Sequence, residues 1–568
     1  MENQSASKIG NQKEWMRQLI IDKVFENEKI KEISKNSNIN GVVSAWVMDF
    51  KSVSVDKEFL NTFAELFTSI YKDRVVQVCG MESGALPLIT ALSLKSSTVA
   101  NSFYIRKARK KHDLSNIYEG SIDKNLPIVL VDDILNRGST FLKQITILED
   151  EGFKVSEVFV VLKFRDDVYY REIVDRGIKI NYIYELNDFK QTLSLQNLED
   201  IKKESKVPYD SYERDWAVKL SEHSTNMYVV IPKSGLVDDE DCLYTGADDG
   251  TFYCLNKKDG SVKWKYKIGF GVPGKNIFST PALSDKFVFF GAYDGNLYCL
   301  DKESGKVNWI FFDADYVGAS PHVEDNEYVY IGLEFGLFKK KGGVAKVDIK
   351  SGKMVWANYE MLGLTHASPV SNKKLGVVIC GCNDNHIYCF DIKTGKLNWK
   401  HDTKGEVKYG SVFDEKRKIV IIAGLDPAVY CINIKDGTLW HKFETTFGFY
   451  STAINDKDNI YIGGLDKRVY AFSLRDKKEK WKVITGGRIF SSPILFEDRV
   501  YIGSNDGNLY EIDKTDGKVL SRTIISERIV NRIIVKRERG QKIMYIKSFT
   551  NEVYRFVEKG CRLLTDLA

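Results

Sequence analysis

The second half of the chain repeats itself, and this repetition limits the possible folds more than any other feature. Residues 244–264 (YTGADDGTFYCLNKKDGSVKW), 289–309 (FFGAYDGNLYCLDKESGKVNW), 379–399 (ICGCNDNHIYCFDIKTGKLNW) and 501–519 (YIGSNDGNLYEIDKTDGKV) are versions of one unit. Each reads as a short apolar strand, a tight Asp/Gly turn, a second strand, and a polar Lys/Gly turn leading to a Trp. Trp264, Trp309, Trp356, Trp399, Trp440 and Trp481 recur every 41 to 47 residues. A period near 40 with several short strands per unit specifies a β-propeller blade, because one unit cannot bury its own apolar faces. Hairpins centred on Asp249, Asp294, Phe335, Asp384, Asp426, Asp466, Asp506 and Asn551 count eight blades. The outer Trp position is filled six times and then by Ser521, and no outer strand follows the last hairpin. Residues 215–220 (DWAVKL), with their own Trp216, are expected to supply that strand and so join the two ends of the array.

Small repeated positions support the same reading. Cys254, Cys299, Cys389 and Cys431 each follow a Tyr in the unit, which marks a packing site for a small buried side chain rather than a disulfide framework or metal cluster. Thr280, Ser320, Ser368, Ser411, Thr452 and Ser492 recur before a Pro, Val or Ala and fit either a channel lining or repeat packing. The third blade has a longer hairpin around Lys339, Lys340 and Lys341, which reads as a solvated tip or a contact loop.

At 568 residues the chain exceeds a single core. Lys and Arg total 83 against 78 Asp and Glu, an excess too small to imply a nucleic-acid or membrane partner. The first thirty residues lack an apolar leader core, and no run of about 18 apolar residues occurs, so a soluble, cytoplasmic protein is expected. Three parts follow: residues 1–196, a polar linker over 197–215 containing Pro208, and the propeller over 216–568. In the first part Trp15, Leu19, Ile20, Val24 and Phe25 recur at roughly helical spacing, as do Phe59, Leu60, Phe63, Leu66 and Phe67. Apolar runs at 74–79, 128–131 and 157–164, a strand ending at Ile105, and a helix and strand over 171–186 complete an α/β domain. The expected fold class is therefore multidomain, a parallel-sheet α/β domain plus an all-β eight-bladed propeller.

The chemistry concentrates in residues 128–140, IVLVDDILNRGST. The apolar run reads as a buried parallel strand that Asp132 and Asp133 end. A loop from Asn136 to Thr140 then leads into a helix carrying Leu142, Ile145 and Leu148, with Gly152 as its C-terminal stop. Free N–H groups at a helix start, beside the Ser139 and Thr140 hydroxyls, suit a phosphate; the carboxylates suit ribose hydroxyls or a hydrated cation. No Gly-Lys-Ser/Thr follows the strand, so this is not a Walker loop.

This order of parts resembles the phosphoribosyl-pyrophosphate (PRPP) signature of type I phosphoribosyltransferases. The stretch 102–112 (SFYIRKARKKH) is similar to orotate phosphoribosyltransferases, matching their Arg-Lys-x-x-Lys-x-His loop at Arg106, Lys107, Lys110 and His112. Departures are Lys111 for an acidic residue, Asp113 for Gly, Lys51 for Arg, Phe164 for the Asp before Arg165, and Asn136 and Arg137 for Thr. The resemblance implies catalytic roles for Asp132, Asp133, Lys110 and His112, and Mg²⁺ held at Asp132 and Asp133. It implies PRPP binding by Gly80, Ser83, Gly84, Arg106, Lys107, Asn136, Arg137, Gly138, Ser139 and Thr140, and base binding by a hood with Trp46 and Lys51, together with Arg165. It also implies a homodimer, since the basic loop in that family serves the neighbouring subunit's site.

The repeats resemble pyrroloquinoline-quinone-type propellers of quinoprotein dehydrogenases and outer-membrane assembly proteins. These short blades lack their catalytic Asp, calcium ligands, adjacent half-cystines and insertions, so the quinone is not expected. Three functions remain open on the sequence. The first is a phosphoribosyltransferase using PRPP and a small-molecule base, with the propeller as a platform for a protein partner. The second is a non-catalytic PRPP or nucleotide sensor, with a stress or antiviral defence role, and the third, with less support, makes the basic loop a nucleic-acid contact.

Overall fold

The computed structural model describes residues 2–25, 50, 53–81, 84–106, 118–136, 138–164, 167–189, 211–221, 234–269, 276–336, 340–525 and 527–559. The chain divides into two compact units, Met1–Lys206 and Val207–Ala568. Among the described residues no helix is long and apolar enough to cross a membrane.

The first unit is built on a six-stranded sheet. Helix α1 (Glu2–Ile20) runs into a wider turn at Ile21–Phe25. Its inward stripe is Met16, Ile20 and Val24, with Ile21 beside them, whereas Trp15 is 38% exposed. The sequence expectation thus placed the stripe one residue early at its start; Met16, Ile20 and Val24 stand four apart and share one face. Helix α2 (Lys57–Ile70) begins at Asp56, whose carboxylate accepts from the N–H groups of Glu58 and Phe59. It buries Phe59, Phe63, Leu66 and Phe67 as the spacing predicts. The sheet comprises β1 (Val76–Met81), β2 (Val99–Ile105), β3 (Tyr118–Glu119), β4 (Ile128–Leu135), β5 (Val155–Lys163) and β6 (Lys179–Glu185), in the order β3-β2-β1-β4-β5-β6. All neighbours are parallel except β3, which forms a hairpin with β2. Helices α3 (Leu86–Lys95), α4 (Ser139–Asp150) and α5 (Arg171–Asp175) follow β1, β4 and β5.

Two expectations need correction. The acidic pair does not end its strand: β4 continues to Leu135 because its pairing with β5 runs on through Asp132–Val160, Ile134–Leu162 and Leu135–Lys163. Gly80 lies in β1 rather than in the loop after it. A Cβ there would sit 2.3 Å from the Ala85 Cβ, so Gly80 lets the start of α3 fold back on the strand.

The second unit consists of eight four-stranded sheets. The last contains the strands Ile534–Glu538, Gln541–Lys547 and Glu552–Glu558 and, as its outer strand, β7 (Tyr212–Lys219) from the other end of the propeller. Seven residue pairs join the strand Glu552–Glu558 to β7, including Arg555 with Trp216. The count of eight and the closure by the Trp216 strand are therefore as the sequence predicts.

The repeated Trp residues tie each blade to the next. Nε1 of Trp216, Trp264, Trp309, Trp356, Trp399 and Trp481 donates to a backbone carbonyl in the following blade, at 2.7 to 3.2 Å. Each ring covers a turn glycine there, as Trp399 covers Gly437, whose φ is +73° and where a Cβ would come within 2.7 Å of the ring. Trp440 departs from this pattern. His441 pairs with Cys431 where Trp264, Trp309 and Trp399 pair with the equivalent cysteines. In the next blade Lys477 (φ +55°) replaces the turn glycine, and its ammonium lies 4.2 Å from the centre of the Trp440 ring. Trp440 stands three residues after Gly437, where Trp309 and Trp399 stand four after Gly305 and Gly395, so His441 takes the usual ring position.

The repeated hydroxyls also bridge blades. Ser320, Ser368 and Ser492 accept from the N–H groups of Thr280, Ser320 and Thr452, and Thr280 accepts from Gly235. Ser411 Oγ is buried without a partner. In the third blade the strands Tyr328–Phe335 and Lys341–Asp348 lengthen the hairpin; Lys339 lies outside the described residues, and Lys340 and Lys341 are exposed.

Candidate active site

The sheet order determines where a ligand can enter the first unit. The chain proceeds outward from β1 to β2 and β3, then returns across β1 to β4 on its other side, so the winding direction reverses between β1 and β4. Helices leaving the two strands diverge at such a point and open a crevice at the strands' C-terminal ends. The β1–β4 pairing stops at Cys79–Leu130, while β4 extends five residues further.

Asp132 and Asp133 occupy this free extension, both half-buried. A Cβ placed on Gly84 would lie 3.5 Å from Asp132 Oδ1 and 3.8 Å from Asp133 Oδ2. The loop after β1 and the acidic pair thus face one another across the crevice, with bare backbone at the closest approach. Each carboxylate is held locally: Asp132 Oδ1 accepts from the Asp133 N–H at 3.0 Å, and Asp133 Oδ1 accepts from the Ile134 N–H at 2.7 Å. Cys79, buried in β1 beside the crevice, has its thiol pushed well above the usual range by burial, which disfavours a thiolate nucleophile.

Gly138, with φ +78°, ends the loop and starts α4, and no side chain caps that helix. Asn136 and Thr140 are exposed at the loop surface. At the other end of α4 the expected stop at Gly152 (φ +82°) is present, with Gly152 N–H donating to Glu149 and Phe153 N–H to Leu148.

Tyr170, which the sequence reading overlooked, anchors the loop from beneath. Its hydroxyl donates to the carbonyls of Leu135 (2.8 Å) and Asn136 (3.0 Å), and its ring and Ile173 pack against Gly138. The only signal in the sequence is a Tyr following the β5 strand, which nothing distinguishes from a core aromatic. Tyr170→Phe removes the donor and leaves the ring. Amide hydrogen exchange over residues 136–140 is expected to quicken about fivefold at unchanged melting temperature, the effect of losing about 1 kcal/mol of local hydrogen bonding. Unchanged exchange would show that packing alone holds the loop.

Arg106 stands at the end of β2 and forms an ion pair with Glu119 across the β2–β3 hairpin, at 2.7 Å. Lys107, Lys110 and His112 fall between these strands and, with Ser83, Arg137, Arg165, Trp46 and Lys51, lie outside the described residues. Ser139 begins α4, and its side chain is likewise outside them. The structure therefore brings together Asp132, Asp133 and Gly84, places Asn136, Gly138 and Thr140 on the segment that follows β4, and places Arg106 at the end of β2.

The donor set suits Mg²⁺ rather than a metal held wholly by protein. No group of three His, Cys, Asp or Glu among the described residues could hold an ion. Two adjacent carboxylates match a hydrated Mg²⁺ completed by substrate oxygens. All eight cysteines in the described part are unpaired and buried.

Sequence comparison matches the first unit to orotate phosphoribosyltransferases. That of Methanosphaera stadtmanae is 30% identical over 175 residues, 31% of this chain and 96% of the relative. That of Pyrococcus furiosus is 27% identical over 168 residues, 29% of this chain and 90% of the relative. The family model described as outer membrane protein assembly factor BamB matches residues 213–437 and 383–544. Among solved structures, the quinohemoprotein alcohol dehydrogenase of Pseudomonas putida HK5 superimposes with a TM-score of 0.51 at 14% identity, covering 63% of this chain and 78% of that one. At that identity the likeness concerns the fold alone. The chain thus belongs to two families, the orotate phosphoribosyltransferases over its N-terminal part and the outer membrane protein assembly factor BamB family over its propeller.

Proposed function

We propose that the first unit transfers a phosphoribosyl group from PRPP to a nucleobase-type acceptor, as a cytoplasmic enzyme whose propeller binds a protein partner. The observation that carries this reading is the convergence of Asp132, Asp133 and Gly84 at the reversal point, on the strand that leads through Gly138 into α4. On this reading the 5′-phosphate sits on the N–H groups of the Asn136–Thr140 loop, and the carboxylates orient the ribose hydroxyls. As the bond to pyrophosphate lengthens, positive charge develops on the ribose, and the two carboxylates face it. Mg²⁺ held at Asp132 and Asp133 would neutralise pyrophosphate charge. Gly84 lets the backbone approach the pyrophosphate, and Ser83, Arg106, Lys107, Lys110 and His112 would hold it as it leaves. The basic loop would serve the partner site of a homodimer, and Trp46, Lys51 and Arg165 would contact the base.

The alternative is a sensor that binds PRPP or a nucleotide without turnover and signals through the propeller. What favours it is that Asn136 and Arg137 replace the Thr residues of the enzyme family's phosphate loop. The two readings separate in a thermal-shift and pyrophosphate-release assay. Mg·PRPP at about one hundred times its Kd should stabilise the first unit by about 2.7 kcal/mol. An enzyme then releases pyrophosphate with at least one free base; a sensor shows the shift and no release. Absence of any shift with Mg·PRPP would remove the enzyme and a PRPP sensor, and absence of a shift with nucleotides as well would remove the sensor altogether.

A further inference from the structure

One position recurs around the propeller axis, two residues before the innermost strand of a blade. Thr280, Ser320, Ser368 and Ser492 fill it with hydroxyls, Gly235 leaves it without a side chain in the first blade, and Arg532 fills it in the eighth. Each of the four hydroxyl oxygens accepts from a backbone N–H of the preceding blade, so its own hydrogen remains to be donated. Ser491 Oγ donates to the Asn531 carbonyl at 2.8 Å and Asn531 Nδ2 to the Ser234 carbonyl at 3.2 Å, which sets Arg532 between Ser492 and Gly235. Arg532 is exposed, yet the protein around it removes hydration and holds its pKa below the usual arginine range, and no neighbouring acid offsets this. Accessible surface together with lost hydration describes a group in a walled hollow, not one on open surface. The ring thus offers hydroxyl donors and one guanidinium that, among the described residues, no acid pairs with.

The mouth of this hollow is aromatic. Val530, two residues before Arg532, belongs to one apolar cluster with Tyr409, Tyr450 and Phe490, and the Tyr409 and Tyr450 rings meet edge to face at 5.0 Å. Tyr293 in the second blade lies opposite the sixth blade, and Tyr450 there helps to raise the Tyr293 pKa, so the two side chains approach each other across the axis. Tyr409 is only half-buried, yet lost hydration pushes its pKa up, which marks the same enclosed space. Two residues of chain, at most about 7 Å, separate the level of these rings from that of Arg532. A terminal phosphate, with three oxygens, matches a forked guanidinium and several O–H donors better than a carboxylate with two, and flat rings above it suit a base. We propose that the propeller axis binds a nucleoside 5′-monophosphate, with its phosphate on Arg532 and the neighbouring hydroxyls and its base against Tyr293, Tyr409 and Tyr450. The site stands apart from the phosphoribosyl transfer proposed above and does not depend on it.

The test titrates the full chain calorimetrically with each of the four common ribonucleoside 5′-monophosphates, the corresponding nucleosides and inorganic phosphate. At least one monophosphate is expected to bind with a Kd of about 0.1 mM or tighter. Arg532→Met keeps the length of the side chain and removes its charge, and should weaken that binding at least about tenfold. The free variant should melt at or above the wild-type temperature, because the charge it loses had no partner, and its response to Mg·PRPP should be unchanged. Tyr409→Leu should weaken the nucleotide about tenfold and leave inorganic phosphate as it was. No binding by any monophosphate, undiminished binding to Arg532→Met, or a free Arg532→Met chain melting about 5 °C lower would overturn the proposal, the last by showing that the guanidinium serves the fold. Equal affinity for the nucleoside would overturn the phosphate's role, and equal affinity for inorganic phosphate would overturn the base's.

Discussion

Changing Asp132 and Asp133 together to Asn is expected to lower kcat for phosphoribosyl transfer by about 10²- to 10³-fold, the cost of removing preorganised charge at a transition state. The fold should survive. Asn keeps the Oδ1 atoms that accept from the Asp133 and Ile134 N–H groups, and β4 is held along its length by β5. Affinity for PRPP should change far less, by under about tenfold, because only interactions stronger in the transition state alter the chemical step. Single-turnover release of pyrophosphate, measured beside equilibrium PRPP binding, separates the two quantities. Release from the double variant at the wild-type rate would eliminate the mechanism proposed for this site.

The second large effect concerns closure of the propeller. A chain beginning after Leu220 should melt about 10 °C or more below one beginning at Pro208, and should aggregate. That corresponds to a loss of at least about 5 kcal/mol. Without β7, the seven residue pairs on the strand Glu552–Glu558 are lost and the outer edge of the eighth blade lies bare. Trp216 no longer covers Gly260 or donates to the Lys257 carbonyl, so the seam to the first blade opens. The Asp215–Arg555 ion pair disappears as well. Tyr212 is buried next to Glu511, its hydroxyl 3.3 Å from the carboxylate, so its removal also leaves a buried acid short of a donor. Equal melting of the two chains would place closure elsewhere. The milder Trp216→Ala, expected to cost about 3 kcal/mol, distinguishes loss of the ring from loss of the strand.

Sequence by itself determined the features that depend on local chemistry or on repetition. Eight hairpins at a regular period define eight blades, since a unit with two apolar faces can satisfy them only against copies of itself. An orphan strand with a Trp matched a blade without an outer strand, so the closure was legible as well. The acidic pair, the loop and the helix stopped at Gly152 were readable because each step reflects a backbone preference of the residues themselves.

Tertiary structure decided what depends on a neighbour distant in sequence. The extension of β4 past its carboxylates exists because β5 continues to pair with it, and no residue in β4 announces that partner. Trp15 turns outward and Met16 inward according to where the core lies, a choice between adjacent apolar residues that helical spacing leaves open. Trp440 stands three residues after Gly437, where Trp309 and Trp399 stand four after Gly305 and Gly395, and only the neighbouring blade shows what its ring meets instead, the Lys477 ammonium. Gly80 reads as a loop glycine until the return of α3 shows that its missing Cβ makes room for Ala85. Tyr170 holds the loop before α4 only because the turn after β5 passes beneath Leu135 and Asn136. In each case the deciding contact joins separate elements, and its energy is set by their packing, which the residues on either side do not encode alone.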